Sequence, residues 1–387
     1  MISTGNSGEK IPIWRDARFW RVALQIALLA TLAIAGSWLV GNFLRQGKEF
    51  NFGFLWKQAG FNIGETLVPY QTNDLYGWAL FVGFLNSLRL ILVGLVLTTV
   101  IGVVAGIASF SSNWLLQKIS QVYVEVVRNT PLLLQIFFWY FAVLFSFSTG
   151  ANVTNVLGTL AISKKGMVIP WPSGTPTSWL AFVALFVGAI AAILVWRWRI
   201  KLMGELGASG KPQSIALIGL GILSLLIFLF GLGWQFPVID AAGTSVEGGL
   251  RLSLEYVGML VALAFYTGAF IAEIVRAGIQ SVSKGQWEAA QALGIQQGLS
   301  MRLVVLPQAL RVIIPSLNSQ YINLTKNSSL ALAIGYPDIF STSQTILNQT
   351  GRAVEVILII LLTYLAVDLL ISALMNQLNN LVQLRER

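Results

Sequence analysis

The chain has 387 residues, 56% of them apolar and only 11% charged, with a formal net charge of +9. A soluble domain carries about 25% charged residues, so lipid must cover part of this surface, and one helical membrane bundle accounts for the length. Cysteine and histidine are both absent, which excludes disulfides, thiolate or imidazole metal sites and Ser–His or Cys–His nucleophilic catalysis.

A helical span needs about 20 apolar residues, and the hydropathy pattern predicts eight: 22–40, 78–110, 123–147, 179–196, 214–234, 252–277, 312–334 and 354–375. The first has a rival reading. A basic start, an apolar run and Ala33-Ile34-Ala35 have the form of a cleaved signal peptide. Against it, Ser37-Trp38-Leu39-Val40 prolongs the run beyond the usual signal length. Three longer segments separate spans, 46–77, 148–178 and 235–251, and Pro170, Pro172 and Pro176 predict an irregular extended course for the middle one.

Lysine and arginine favour cytoplasmic loops, because they resist translocation. With Lys10, Arg15, Arg18 and Arg21 inside, sixteen basic residues fall on the cytoplasmic side and seven outside, leaving Arg89 and Lys326 within spans. This bias predicts a multi-pass protein with both termini cytoplasmic. The basic residues lie between apolar segments and not on a polar domain, so no nucleic-acid surface is expected. Arg89 is expected to snorkel toward an interface.

Between the sixth and seventh spans runs Gly285-Gln286-Trp287-Glu288-Ala289-Ala290-Gln291-Ala292-Leu293-Gly294, with a later Leu306-Pro307-Gln308-Ala309. Glu288 to Leu293 are good helix formers and predict a short, thin helix. Gly294 suits the left-handed residue that ends a helix, and Pro307 suits a restart in the first turn of the next one. Such an exposed helix is fit to dock in a groove of a partner; an ordinary amphipathic loop helix is the alternative.

Glu288, Ala289, Ala290 and Gly294, followed by Leu306 and Pro307, resemble the E-A-A loop of ABC-importer permeases, where this loop is the coupling helix seated in a cleft of the ATPase subunit. Four more stretches are similar to the polar amino-acid permeases of that family. Arg128-Asn129-Thr130-Pro131-Leu132-Leu133-Leu134-Gln135 matches R-G/N-T-P-L-L-x-Q. Ala272-Glu273-Ile274-Val275-Arg276-Ala277-Gly278-Ile279 matches A-E-I-x-R-G-G-I. Leu306-Pro307-Gln308-Ala309 matches L-P-Q-A, and Lys326-Asn327-Ser328-Ser329-Leu330 matches K-D-T-S-L with two departures. The resemblance covers 78–147 and 252–387. It implies an all-α membrane fold in which the second, third, sixth, seventh and eighth spans form the five-helix permease core. The fourth and fifth spans look like an insertion and the first like an addition, a layout similar to the general L-amino-acid permease branch.

Four regions follow from this. Residues 1–77 hold the cytoplasmic start, the first span and an external loop; 78–147 the first part of the core; 148–251 the inserted loops and spans; and 252–387 the second part of the core with the coupling loop. The resemblance also implies a separate ABC ATPase in two copies, a second permease chain (homologous or identical), an extracytoplasmic amino-acid-binding protein and a bacterial inner membrane. This chain is expected to bind no cofactor and to have no catalytic or metal-ligating residue, with ATP and Mg held on the partner ATPase. The nearest phosphate-loop decoy, 207–211, has Glu205 in place of the first glycine and Pro212 in place of Ser or Thr.

Charged groups inside spans are costly and mark transport paths. Lys326 is the leading candidate, because a lysine in a span is a natural partner for an α-carboxylate. Asn327, Ser328 and Ser329 beside it, with Glu273, Asn129, Thr130 and Gln135, complete the predicted pathway set. A structural Lys326–Glu273 pair is the alternative, and Glu125 with Arg128 reads as a gate pair or as flanking charges. Asn327 stands where the family commonly has aspartate. An uncharged amide there predicts neutral, acidic or broad-range amino acids. A secondary transporter or channel would explain the spans and Lys326 but not the Glu288 loop. A membrane enzyme would need facing carboxylates, and Glu273 and Asp368 fall in separate spans with no shared motif.

Overall fold

The computed structural model describes residues 17–45, 50–148, 153–156, 158–206 and 210–382. Lys10, Arg15, Lys48, Arg385 and Arg387, used above for orientation, and positions 207–209 of the phosphate-loop decoy lie outside them. Seven helical segments are long and apolar enough to cross a membrane, and a bent pair makes an eighth.

The first is α1 (Ala17–Arg45), continuous through Ala33-Ile34-Ala35. The second is α2 (Tyr76–Ala108), which carries Gly83, Gly94, Gly102 and Gly106 along the face it buries. Those glycines let α2 lie against its neighbours at backbone distance. A Cβ on Gly102 would fall 2.5 Å from Ile271, and one on Gly106 would fall 2.7 Å from Val275. Ile271 and Val275 belong to α8 (Leu254–Gln280), the most deeply packed helix of the protein. Lipid offers no hydrophobic drive between helices, so close small-residue packing of this kind holds membrane bundles together.

The third crossing is not the straight span predicted over 123–147. It is α3 (Trp114–Arg128) followed by α4 (Leu132–Phe137), a π turn and α5 (Phe145–Ser148), with a 109° bend at the break. The cause is Pro131, whose missing N–H and preference for an extended residue before it end α3. Asn113 caps the start of α3 by accepting from the Leu115 and Leu116 N–H groups.

The seventh crossing also differs from 312–334. Its helix begins at α10 (Gln297–Ser300), passes through a π turn and continues as α11 (Leu306–Asn327). Pro307 lies in the first turn of α11, as expected, but the π turn before it joins that helix to α10. The π turn absorbs the hydrogen bond that proline removes, so the helix runs on. Past Asn327 comes a 3-10 segment, Ser328–Ile334, then Gly335 at φ +79°. The chain then rises as α12 (Ile339–Thr350), whose N-cap Asp338 accepts from the Ser341 N–H at 2.7 Å. α12 packs on the first half of α2, where Thr342 and the Asp338 carbonyl crowd Gly83. Leu324 reaches Gly94, near the middle of α2. The helix is thus broken after Asn327, and α12 continues on the far side of the break. α13 (Ala353–Val382) returns alongside α11.

Between α5 and α8 the segments read as irregular form β structure. Strands β1 (Thr154–Val156), β2 (Leu160–Ser163), β3 (Gly166–Ile169) and, much later, β8 (Leu250–Leu252) make an antiparallel sheet in that order. Val168 pairs with Arg251, so the sheet joins the two ends of the segment between α5 and α8. β4 (Trp171–Pro172) pairs with β5 (Trp234–Gln235), and β6 (Val238–Ile239) with β7 (Val246–Glu247). From this sheet the helices α6 (Pro176–Leu206) and α7 (Lys211–Leu226) leave as a packed pair. Pro212, the residue that spoils the phosphate-loop decoy, lies in the first turn of α7.

Coupling helix and candidate transport path

Between α8 and α10 stands α9 (Lys284–Ala292), which starts four residues before Glu288 and ends one before Leu293. Gly294 takes φ +71°. The Gly294 N–H donates to the Gln291 carbonyl at 2.9 Å and the Ile295 N–H to Ala290 at 3.0 Å. This paired arrangement satisfies carbonyls that the helix end would otherwise leave bare. Ala290 is buried and Trp287 half-buried against the helices behind, while Glu288, Ala289, Ala292 and Leu293 face outward, Leu293 at 78% exposure. The Gln308 side-chain amide donates to Gln286 at 3.2 Å and to the Val304 carbonyl at 3.0 Å, which fixes α9 to the start of α11. α9 is therefore a knob with one anchored face and one open face.

α2, α3 and α8 form a half-open cavity of about 490 Å³ lined in part by Glu125, Arg128, Asn129, Phe270, Glu273 and Arg276. Glu273 accepts from Arg276 at 2.9 Å and lies 3.6 Å from Arg128, whose guanidinium sits 5.2 Å from the Phe270 ring centre. Glu273 does not pair with Lys326; its partners are these two arginines. Arg128 likewise turns toward Glu273. Thr130 and Gln135, expected on the path, hold the bend instead. The Gln135 amide donates to Val127, at 2.9 Å, and to Thr130. Asn129 lines the cavity.

Lys326 stands exposed on α11, in one stripe with Ser319 and Asn323. Their spacing of three and four residues places them on one helix face. A face like this cannot rest against hydrocarbon. Asn327 is half-buried. Ser328 is buried and donates to the Thr325 carbonyl at 2.7 Å, and Ser329 donates to Lys326 at 2.7 Å, so both hydroxyls close the helix end.

Arg89 does not snorkel. Its guanidinium donates to Glu65 at 2.6 Å and stacks 3.9 Å from the Tyr256 ring centre. The other Glu65 oxygen accepts from Ser253. The Asn86 amide donates to the Glu65 carbonyl at 2.8 Å and to Pro337 at 2.9 Å, and the Tyr336 hydroxyl donates to the Asn86 carbonyl. One glutamate in the 46–77 segment thereby ties that segment to α2, α8 and the break in the seventh crossing. No local sequence pattern signals it, because the partners lie 24 and 188 residues away.

The family of binding-protein-dependent transport system inner membrane components matches residues 98–385. The chain is 42% identical to the putative amino-acid ABC transporter permease protein YhdX of Escherichia coli, over 94% of this chain and 93% of that one. It is 40% identical to the general L-amino acid transport system permease protein AapQ of Rhizobium johnstonii, over 96% and 94%. The glutamate/glutamine/aspartate/asparagine transport system permease protein BztB of Rhodobacter capsulatus is 38% identical over 96% of each chain. Together with the multi-pass helical fold and its anchored α9 knob, these matches place the chain in the family of inner membrane components of binding-protein-dependent transport systems, as a transport subunit and not an enzyme.

Proposed function

We propose that this chain is the membrane-spanning permease subunit of an ATP-driven importer of polar amino acids, neutral, acidic or broad in range. The observation that carries the reading is α9, whose outward Glu288, Ala289, Ala292 and Leu293 form a small knob braced on α8 and α11. We assign that end to the cytoplasm, together with both termini, and the β sheet to the outside. A separate ABC ATPase receives the Glu288–Gly294 knob in its cleft, and one knob per permease with a two-copy ATPase calls for a second permease chain. That chain, a copy or a relative, covers the polar stripe at Ser319, Asn323 and Lys326 and encloses a water path. An external amino-acid-binding protein delivers cargo at the sheet end. Residues 78–147 and 252–387 form the transport core on this reading, 148–251 is an insertion, and ATP with Mg belongs to the ATPase. The amide at Asn327 and the cargo in the names of AapQ and BztB support neutral, acidic or broad-range substrates.

The test is ATPase activity of the complex reconstituted with its ATPase and binding protein. Amino acids stimulate the wild type, and Glu288→Lys loses both stimulation and retention of the ATPase. Gradient-driven uptake by the permease alone, with no ATPase bound, sinks the reading; strict selection of arginine or lysine sinks the substrate range.

A further inference from the structure

Two opposite charges on adjoining helices form no ion pair among the described residues. Lys326 is exposed on α11, and among the described residues no carboxylate lies within 4.0 Å of it. Asp368 lies halfway along the adjoining α13, among Leu365, Leu369 and Leu370, all exposed as a lipid-facing helix requires. It is itself half-buried, and its Oδ1 is enclosed without a hydrogen-bond partner. A carboxylate in such a helix is costly unless a charge or donor answers it. α13 packs along α11, the helix that carries Lys326. The other carboxylate near the break, Asp338, is fully buried and commits an oxygen to capping α12.

We propose that Lys326 and Asp368 are the two poles of a receptor for the main chain of a free amino acid, the ammonium taking its α-carboxylate and the carboxylate its α-ammonium. The proposal rests on the transport reading above, which puts Lys326 on the water path. A zwitterion carries both charges on either side of one carbon. It fits between fixed charges that attract each other but stay beyond ion-pair contact. Bound there, it satisfies both at once and removes the cost of leaving Asp368 bare. The two poles sum to zero, so the site does not select on side-chain charge, in keeping with the uncharged Asn327 beside it. Asp368 thus supplies the ammonium subsite that the motif around Lys326 lacks.

The experiment uses the permease–ATPase complex in nanodiscs without binding protein, so that only the membrane site is read. Half-saturation is measured for L-glutamine, L-glutamate and L-leucine, for the des-amino analogue of glutamine and for its α-amide. Asp368→Asn raises half-saturation about tenfold or more for every free amino acid, because one buried charge partner has gone. It also loses the preference for glutamine over the des-amino analogue. Lys326→Met does the same with respect to the α-amide, and Asp368→Glu recovers part of the loss. A change below about twofold in Asp368→Asn, or a change confined to one side-chain class, overturns the pair while leaving the importer intact. If the variants fail to assemble, the wild type decides, since equal binding of glutamine and its des-amino analogue also overturns it. Failure of the wild type to bind any amino acid, with no stimulation when binding protein is added, overturns both readings.

Discussion

Replacing Glu65 by glutamine removes the charge that answers Arg89 while keeping the shape and the contact with Ser253. Arg89 and Glu65 are 17% and 16% exposed, so water screens them only in part. Stranding one member of a buried ion pair costs about 3–5 kcal/mol. Tyr256 still offers its ring face to the guanidinium, which returns on the order of 1 kcal/mol. The net expectation is a loss of roughly 2–4 kcal/mol from these terms. Removing the stranded charge as well, in Glu65→Gln with Arg89→Met, recovers most of it, so the two changes are strongly non-additive. Domains of 150–250 residues lose about 2–4 °C per kcal/mol, and a larger chain moves less per unit. Glu65→Gln should therefore lower the apparent Tm of the detergent-solubilised protein by about 4–8 °C, read from tryptophan fluorescence at one scan rate. A single-mutant shift below about 1 °C, or a double mutant that equals the sum of the singles, would refute the clamp.

Gly106→Leu is expected to abolish stable expression, since its Cβ would already lie 2.7 Å from Val275 on α8. Gly219→Leu on α7, where a Cβ meets nothing within 4 Å, should be tolerated; detergent gel filtration of both variants decides. Gly294→Val forces a β-branched residue to φ +71° and should displace α9, reducing ATPase retention. Gly285→Ala, with open space around its Cβ, should leave retention unchanged in the same pull-down. In the β6–β7 turn, the Ser245 N–H foremost, with the Thr244 N–H, holds the Asp240 carboxyl below its ordinary value of 3.8. A lowered folded value means its contribution is present above 3.8 and is lost as pH falls through the folded value. Hydrogen exchange at Ser245 should quicken on that acid side, and the dependence should vanish in Asp240→Ala.

Residues that act through their immediate neighbours were legible in the chain. The coupling loop announces itself in Ala289, Ala290 and Gly294 because helix propensity and a left-handed cap are local properties. The apolar runs of α2, α8 and α13 are equally local. The bend at Asn129-Thr130-Pro131 was present in the sequence as a proline, yet hydropathy ran smoothly across it and read as one span. The π turn before Pro307 hid in the same way, since a helix that absorbs a proline keeps its apolar periodicity. Partners distant in sequence stayed out of reach. Nothing near Arg89 names Glu65, and nothing near Glu273 names Arg128, whereas Arg276, three residues along the same helix, was a local signal against the Lys326 pairing. The sheet was missed because β3 and β8 pair across the whole insertion, and strands of two to four residues leave little alternation to detect.

The break between α11 and α12 divides the stiffness of the seventh crossing. From Gln297 the chain is helical without interruption to Asn327, and a hydrogen-bonded helix carries a push along its axis with little bending. Beyond Asn327 the 3-10 segment and Gly335 cannot carry that load, and α12 is seated against Gly83 of α2 with Pro337 tied to Asn86. Lys326 therefore belongs to the tip of a long helical rod, whereas the segment beyond it belongs to the seat on α2 that the Glu65 clamp holds.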